Sequence, residues 1–90
     1  MDPSQDPFVQ ETRAQLSKLD RTVFDAVNRR IELVARLKRH KAEHGYSFLD
    51  PGREEQMVED AVAANPGPLS ADGLRRLYAE VLALTKREVG

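Results

Sequence analysis

The longest uninterrupted part of the sequence lies between Pro7 and Gly45, where the chain contains neither glycine nor proline. Apolar residues recur there at intervals of three and four, the spacing that places side chains on one face of an α-helix. Gly45 follows as a C-terminal cap, because glycine readily adopts the left-handed conformation that ends many helices. A helix of roughly 35 residues extends about 50 Å, far longer than an average helix. Other helices must cover its apolar surface, and this requirement limits the possible folds.

Two shorter helices are predicted in the second half of the chain. One begins at Pro51, with Asp50 as its N-cap, and stops before Asn65, because an acidic cap and a proline in first position favour a helix start. Ser70 caps the other, whose apolar residues again share one face. No segment has the alternation of a β-strand. The sequence therefore predicts an all-α fold with disorder over residues 1–8 and helices over about residues 9–44, 51–64 and 71–88.

The composition is that of one small domain. The chain has 90 residues, no cysteine and a formal net charge of -1, so we expect no disulfide, no thiolate metal site and no nucleic-acid partner. Its start lacks a secretory signal, and no apolar run approaches the roughly 20 residues that span a bilayer. We expect a single cytoplasmic domain over residues 1–90, without a membrane partner. A second copy, in a symmetric homodimer of antiparallel long helices, is the economical cover for the long helix.

Three cations fall on the apolar line of the long helix. This line has a 3.5-residue repeat and contains Arg13, Leu16, Asp20, Val23, Val27, Arg30, Val34, Leu37 and Lys41. One interpretation is that the cations reach solvent at the edge of the line or pair with carboxylates such as Asp20. The other is an anion site, because uncompensated buried cations are costly, and two guanidinium groups with one ammonium suit a small polyanion. The spacing leaves both interpretations open.

Several motifs occur in a fixed order along the chain. They are Arg13, Leu19-Asp20, Arg29-Arg30, Lys41 and the run Asp50-Pro51-Gly52-Arg53-Glu54, followed by NPGPLSADGLRRLYAEVLALTK. In this order the sequence resembles the all-helical chorismate mutase family over nearly the whole chain after residue 12. The resemblance implies an intertwined homodimer of three helices per subunit with shared active sites. It also implies an isomerase that converts chorismate to prephenate in phenylalanine and tyrosine biosynthesis, with no cofactor and no metal.

The resemblance assigns roles to individual residues. Arg13 from the partner subunit and Arg30 would hold the two carboxylates of the substrate. Lys41 would face the ether oxygen, which gains negative charge as its bond breaks, so that this contact lowers the barrier. The predicted contacts from the second helix are Arg53 near a carboxylate, and Glu54 with the Asp50 backbone at the substrate hydroxyl.

The C-terminus departs from the family pattern. Many members carry a Ser or Thr and, four residues later, a Gln that donates to the ether oxygen. Here Thr85 matches the first position and Val89 the second. A shift of one residue would bring Glu88 instead, which would have to act in its protonated form. Either Glu88 substitutes for the missing donor, or a partner such as the first synthase of the shikimate pathway completes the enzyme.

Three alternative functions remain open. A 4-amino-4-deoxychorismate mutase of secondary metabolism would share the fold and nearly all of the site, and would differ near Glu54, where an amine replaces the hydroxyl. An isochorismate-pyruvate lyase is a further relative, although Asp50 and Glu54 resemble the mutases better. A non-catalytic helical dimerisation or regulatory module would instead pair the cations with acids across its interface.

Overall fold

The computed structural model describes residues 2–90 and is helical throughout. A short 3-10 helix, Pro3–Gln5, precedes three α-helices: α1 (Pro7–Glu43), α2 (Pro51–Ala64) and α3 (Ala71–Val89). No β-strand occurs within residues 2–90. The prediction of an all-α fold with one long and two shorter helices is confirmed.

The N-terminus differs from the sequence-based expectation. In place of disorder up to residue 8, the structure has the 3-10 helix and begins α1 at Pro7; the expectation for Met1 lies outside the described residues. Two aspartates account for the difference, because each accepts a backbone hydrogen bond that starts a helix. The Asp2 carboxylate accepts from the Ser4 N–H at 3.0 Å, and the Asp6 carboxylate accepts from the Phe8 N–H at 2.8 Å. The Ser4 bond also lowers the pKa of the Asp2 carboxyl.

Gly45 ends α1 as predicted. Its φ of 71° lies in the left-handed region, where a residue with a side chain would be strained. Its N–H donates to the Ala42 carbonyl at 3.3 Å, and the Tyr46 N–H donates to the Lys41 carbonyl at 2.8 Å. These two bonds form a Schellman motif. The motif turns the chain back, so that the ring of Phe48 lies 5.4 Å from the ammonium of Lys38.

The helices α2 and α3 pack against each other. Asp50 caps α2 by accepting the Arg53 N–H at 3.0 Å, and Ser70 caps α3 by accepting the Gly73 N–H at 3.0 Å. Two ion pairs join the helices. Glu59 pairs with Arg75 at 3.3 Å, and Glu54 pairs with Lys86 at 2.9 Å.

Contacts divide the chain into two units, Met1–Arg30 and Ile31–Gly90. In the first, the apolar residues Leu16, Leu19, Val23 and Phe24 are all more than half exposed. In the second, Thr85 is fully buried at 2% exposure. No apolar side chain among residues 2–90 is fully buried, although 40% of the sequence is hydrophobic. The described part of one chain therefore lacks a hydrophobic core of its own.

Candidate active site

Lys41 lies in the last turn of α1 and is half-buried. Its ammonium donates a hydrogen bond to the Phe48 carbonyl at 3.4 Å. The Schellman turn at Gly45 brings this carbonyl back toward the helix. Because an ammonium has three hydrogens, Lys41 can hold the connection and still donate to a bound anion.

Asp50, Arg53 and Glu54 form the first turn of α2. The Asp50 carboxylate accepts the Arg53 N–H at 3.0 Å, and the Asp50 carbonyl accepts the Glu54 N–H at 3.1 Å. Both bonds satisfy backbone donors that any helix start leaves open. The cap thus accounts for the conformation of Asp50, while the Arg53 side chain remains exposed.

Glu54 has a partner that sequence analysis missed. The Lys86 ammonium lies 2.9 Å from one Glu54 carboxylate oxygen and 3.1 Å from the other. The side chains are partly accessible, at 31% for Glu54 and 43% for Lys86. The two residues are 32 positions apart, so no helical spacing links them. The only signal in the sequence is that Lys86 directly follows the predicted site residue Thr85.

The end of α3 combines a buried hydroxyl with an exposed acid. The Thr85 hydroxyl donates to the Val81 carbonyl at 2.7 Å, a bond within the helix. The Glu88 side chain is exposed, whereas Val89 is half-buried. This arrangement does not fit the hypothesis of a Glu88 carboxyl directed into a site, because the inward position at the end of the helix belongs to Val89.

Contacts within the second unit link three of the predicted site regions. Lys41 holds the connection through Phe48, and the connection leads to the Asp50 cap. The first turn of α2 is then tied to the end of α3 through Glu54 and Lys86. Lys41, the Asp50 turn and the Thr85 region are therefore fixed through one continuous set of contacts.

The other two predicted cations belong to the first unit. Arg13 is exposed in the single chain. Arg30 is half-buried and interacts with other groups of the chain. The structure of one chain thus leaves the side chain of Arg13 accessible, as a residue that contacts a partner must be.

A shallow groove of about 370 Å³ lies between α2 and α3. Its polar lining consists of Glu54, Glu55, Glu59 and Arg75. Neither Lys41 nor Thr85 lines it, so this groove is not the predicted anion site. It does leave the Glu54 carboxylate open to a small molecule.

The two histidines stack on each other. The rings of His40 and His44 are 4.1 Å apart, and Nδ1 of His44 lies 2.8 Å from the His40 carbonyl oxygen. Both side chains are exposed. Among residues 2–90, no three His, Asp or Glu side chains are arranged to hold a metal ion. No helix in the same range is long and apolar enough to cross a membrane.

Known proteins resemble this chain in sequence and in fold. A family model described as chorismate mutase type II matches residues 12–89. Over 55 residues the chain is 44% identical to a 4-amino-4-deoxychorismate mutase from Streptomyces venezuelae, and this alignment covers 61% of the chain and 52% of that protein. The chain thus spans about half the length of this curated relative.

Two crystal forms of chorismate mutase from Thermus thermophilus have similar structures. Form I has a TM-score of 0.82 and 30% identity, over 86% of this chain and 96% of that chain. Form II has a TM-score of 0.83 and 29% identity, over 88% of this chain and 90% of that chain. Together with the family match over residues 12–89, these similarities lead to one conclusion: the chain belongs to the chorismate mutase type II family.

Proposed function

We propose that the protein is a chorismate mutase, an isomerase that converts chorismate to prephenate in the biosynthesis of phenylalanine and tyrosine. The observation that carries this proposal is the family match over residues 12–89, a range that includes every residue predicted for the site. The half-buried ammonium of Lys41, fixed at the end of α1 by the Phe48 carbonyl, supports it as a preorganised donor.

The active form proposed is a homodimer with shared sites. One chain exposes 7224 Å², whereas a folded monomeric protein of 10.1 kDa exposes roughly 5,300 Å². The excess of about 1,900 Å² per chain corresponds to a total interface of about 3,800 Å², within the range of permanent homodimers. The exposed apolar residues of α1 give such an interface the hydrophobic surface that it needs.

In this dimer the cations would act on charge and orientation. Arg13 of the partner subunit and Arg30 would bind the two carboxylates, since guanidinium groups match carboxylates with two parallel hydrogen bonds. Holding a flexible dicarboxylate in its reactive conformer removes much of the entropic barrier. Lys41 would donate to the ether oxygen, where negative charge develops, and one such donor contributes about a hundredfold to a thousandfold in rate.

The remaining groups would bind the rest of the substrate. Glu54 would accept a hydrogen bond from the substrate hydroxyl, with the Asp50 backbone beside it, and Arg53 would assist at a carboxylate. Thr85 would line the site near Lys41. Val89 has no hydrogen to donate to the ether oxygen, so we propose low turnover by the isolated dimer. A partner such as the first synthase of the shikimate pathway would raise it.

A second candidate is a 4-amino-4-deoxychorismate mutase. It is favoured by the 44% identity over 55 residues to the Streptomyces venezuelae protein of that name. Its substrate carries an amine where chorismate carries a hydroxyl, so the two functions differ in the group that meets Glu54.

A direct assay tests both candidates. Purified protein is mixed with chorismate, or with its 4-amino analogue, and the loss of substrate absorbance is followed with and without a clarified lysate. The Lys41→Met variant, purified in the same way, controls for contaminating enzymes. We expect chorismate to be consumed faster by the wild type than by the variant. Consumption of neither substrate above the level of the variant would overturn the proposed function.

A further inference from the structure

The ion pair between Glu54 and Lys86 joins the first turn of α2 to the last turns of α3. The ammonium of Lys86 contacts both carboxylate oxygens, at 2.9 and 3.1 Å. A second pair, Glu59 with Arg75, joins the same two helices at 3.3 Å. The two pairs differ in their neighbours, because Lys86 adjoins Thr85 and Glu54 belongs to the Asp50 turn, whereas Glu59 and Arg75 are not part of the proposed site.

We propose that Lys86 is a specificity-determining residue that acts through Glu54. It neutralises the carboxylate and thereby favours a substrate with a hydroxyl over one with a protonated amine at the same position. This inference rests on the proposed function, in which Glu54 contacts that group of the substrate. It assigns chorismate, rather than the 4-amino analogue, as the preferred substrate.

A neutralised carboxylate still binds a hydroxyl. An ionised carboxylate has about four acceptor positions, and a single ammonium does not occupy all of them. The accessible fraction of Glu54, 31%, leaves room for a hydroxyl to donate to a carboxylate oxygen. A hydroxyl carries no charge, so the nearby ammonium of Lys86 does not oppose its binding.

An amine at the same position meets a different field. A free aliphatic amine is protonated at neutral pH, as the lysine side chain is. An ammonium bound to Glu54 at ordinary hydrogen-bond length would lie within about 6 Å of the Lys86 nitrogen. This separation is shorter than the Debye length of about 8 Å at physiological salt. The second cation is therefore repelled, while its attraction to Glu54 is already shared with Lys86.

The size of the effect follows from exposure. The Lys86 side chain is 43% exposed, and solvent weakens the interaction of exposed charges. We therefore expect Lys86 to change the preference between the two substrates by about tenfold, which corresponds to about 1.4 kcal/mol.

The test compares kcat/KM for chorismate and for 4-amino-4-deoxychorismate. The proteins are the wild type, Lys86→Met, Lys86→Gln and Lys86→Arg, with Arg75→Met as the matched control that breaks the other ion pair. We expect the neutral Lys86 variants to shift the preference toward the amine by about tenfold, mainly through a lower KM for the amino substrate. Lys86→Arg keeps the cation and should keep the wild-type preference, as should Arg75→Met.

A second arm checks that the effect passes through Glu54. In a Glu54→Gln background, Lys86→Met should no longer change the preference, because no carboxylate charge remains to be neutralised. An unchanged preference in active Lys86→Met and Lys86→Gln, or an equal shift in Arg75→Met, overturns the role of Lys86 and leaves the proposed function intact. If the wild type converts neither substrate, the proposed function fails and this inference fails with it.

Discussion

Val23 provides the sharpest test of the proposed dimer. It lies on the apolar line of α1 and is 55% exposed in the single chain. The proposed dimer would cover this side chain in both copies. We therefore predict that Val23→Asp disrupts assembly, whereas the neighbouring Thr22→Asp does not. Thr22 is the matched control because it is also exposed, it lies on the polar line with Lys18 and Asp25, and valine, threonine and aspartate have similar helix propensities.

The expected magnitude follows from the exposed fraction of Val23. Full burial of a valine side chain contributes about 1.5 to 3 kcal/mol, so covering the exposed 55% contributes about half of that. Two copies per dimer give about 2 kcal/mol. The buried carboxylate of the variant costs several kcal/mol more, because it has no partner there. A total loss above about 3 kcal/mol weakens the dimer by more than a hundredfold.

Light scattering and thermal unfolding measure the outcome. At micromolar concentration we expect the wild type and Thr22→Asp to be dimers with similar melting temperatures that rise with protein concentration. Val23→Asp should lose the dimer and melt lower by on the order of 10 °C or more. A folded wild-type monomer, or a Val23→Asp dimer as stable as Thr22→Asp, would refute the reasoning.

Three further predictions concern the site. If Arg13 acts in the partner's site, co-refolding inactive Arg13→Ala with inactive Lys41→Ala should restore one intact site per heterodimer; no recovery, with heterodimers demonstrated by mass, would contradict the shared site. Lys41→Met should lower turnover by about a hundredfold or more while the melting temperature stays within a few degrees, because it removes only a 3.4 Å bond to the Phe48 carbonyl; a large drop in melting temperature would mean that Lys41 is chiefly structural. Val89→Gln should raise turnover by supplying a donor at a half-buried position, whereas Glu88→Gln should leave the pH-rate profile unchanged; a gain from Glu88→Gln alone would restore the Glu88 hypothesis.

Local signals in the sequence predicted the helices well. The caps at Asp50 and Ser70 and the left-handed glycine at Gly45 act within a few residues of themselves, so each could be identified without knowledge of the fold. The same Asp-Pro signal was overlooked at Asp2 and Asp6, where it also starts helices. The expectation of disorder came from position near the terminus rather than from the cap chemistry.

Long-range pairing could not be predicted in this way. The pair between Glu54 and Lys86 depends on the packing of α2 against α3, which no periodicity within either helix specifies. Similarly, the spacing of α3 could not distinguish Glu88 from Val89 as the inward residue, because a register difference of one residue depends on how the helix is rotated against its neighbours. The exposure of each side chain decides between them.

The Asp6 cap has a consequence for Arg13. Because α1 begins at Pro7, Arg13 lies in the second turn of the helix instead of in its first, where helix ends fray. Fixing the backbone of one residue costs about 1 to 2 kcal/mol in conformational entropy. The hydrogen bonds of Asp2 and Asp6 order the residues ahead of Arg13 within the chain itself. The entropy of these residues is therefore lost when each helix forms, and the free energy of association between two subunits is not reduced by ordering the segment that carries the shared guanidinium.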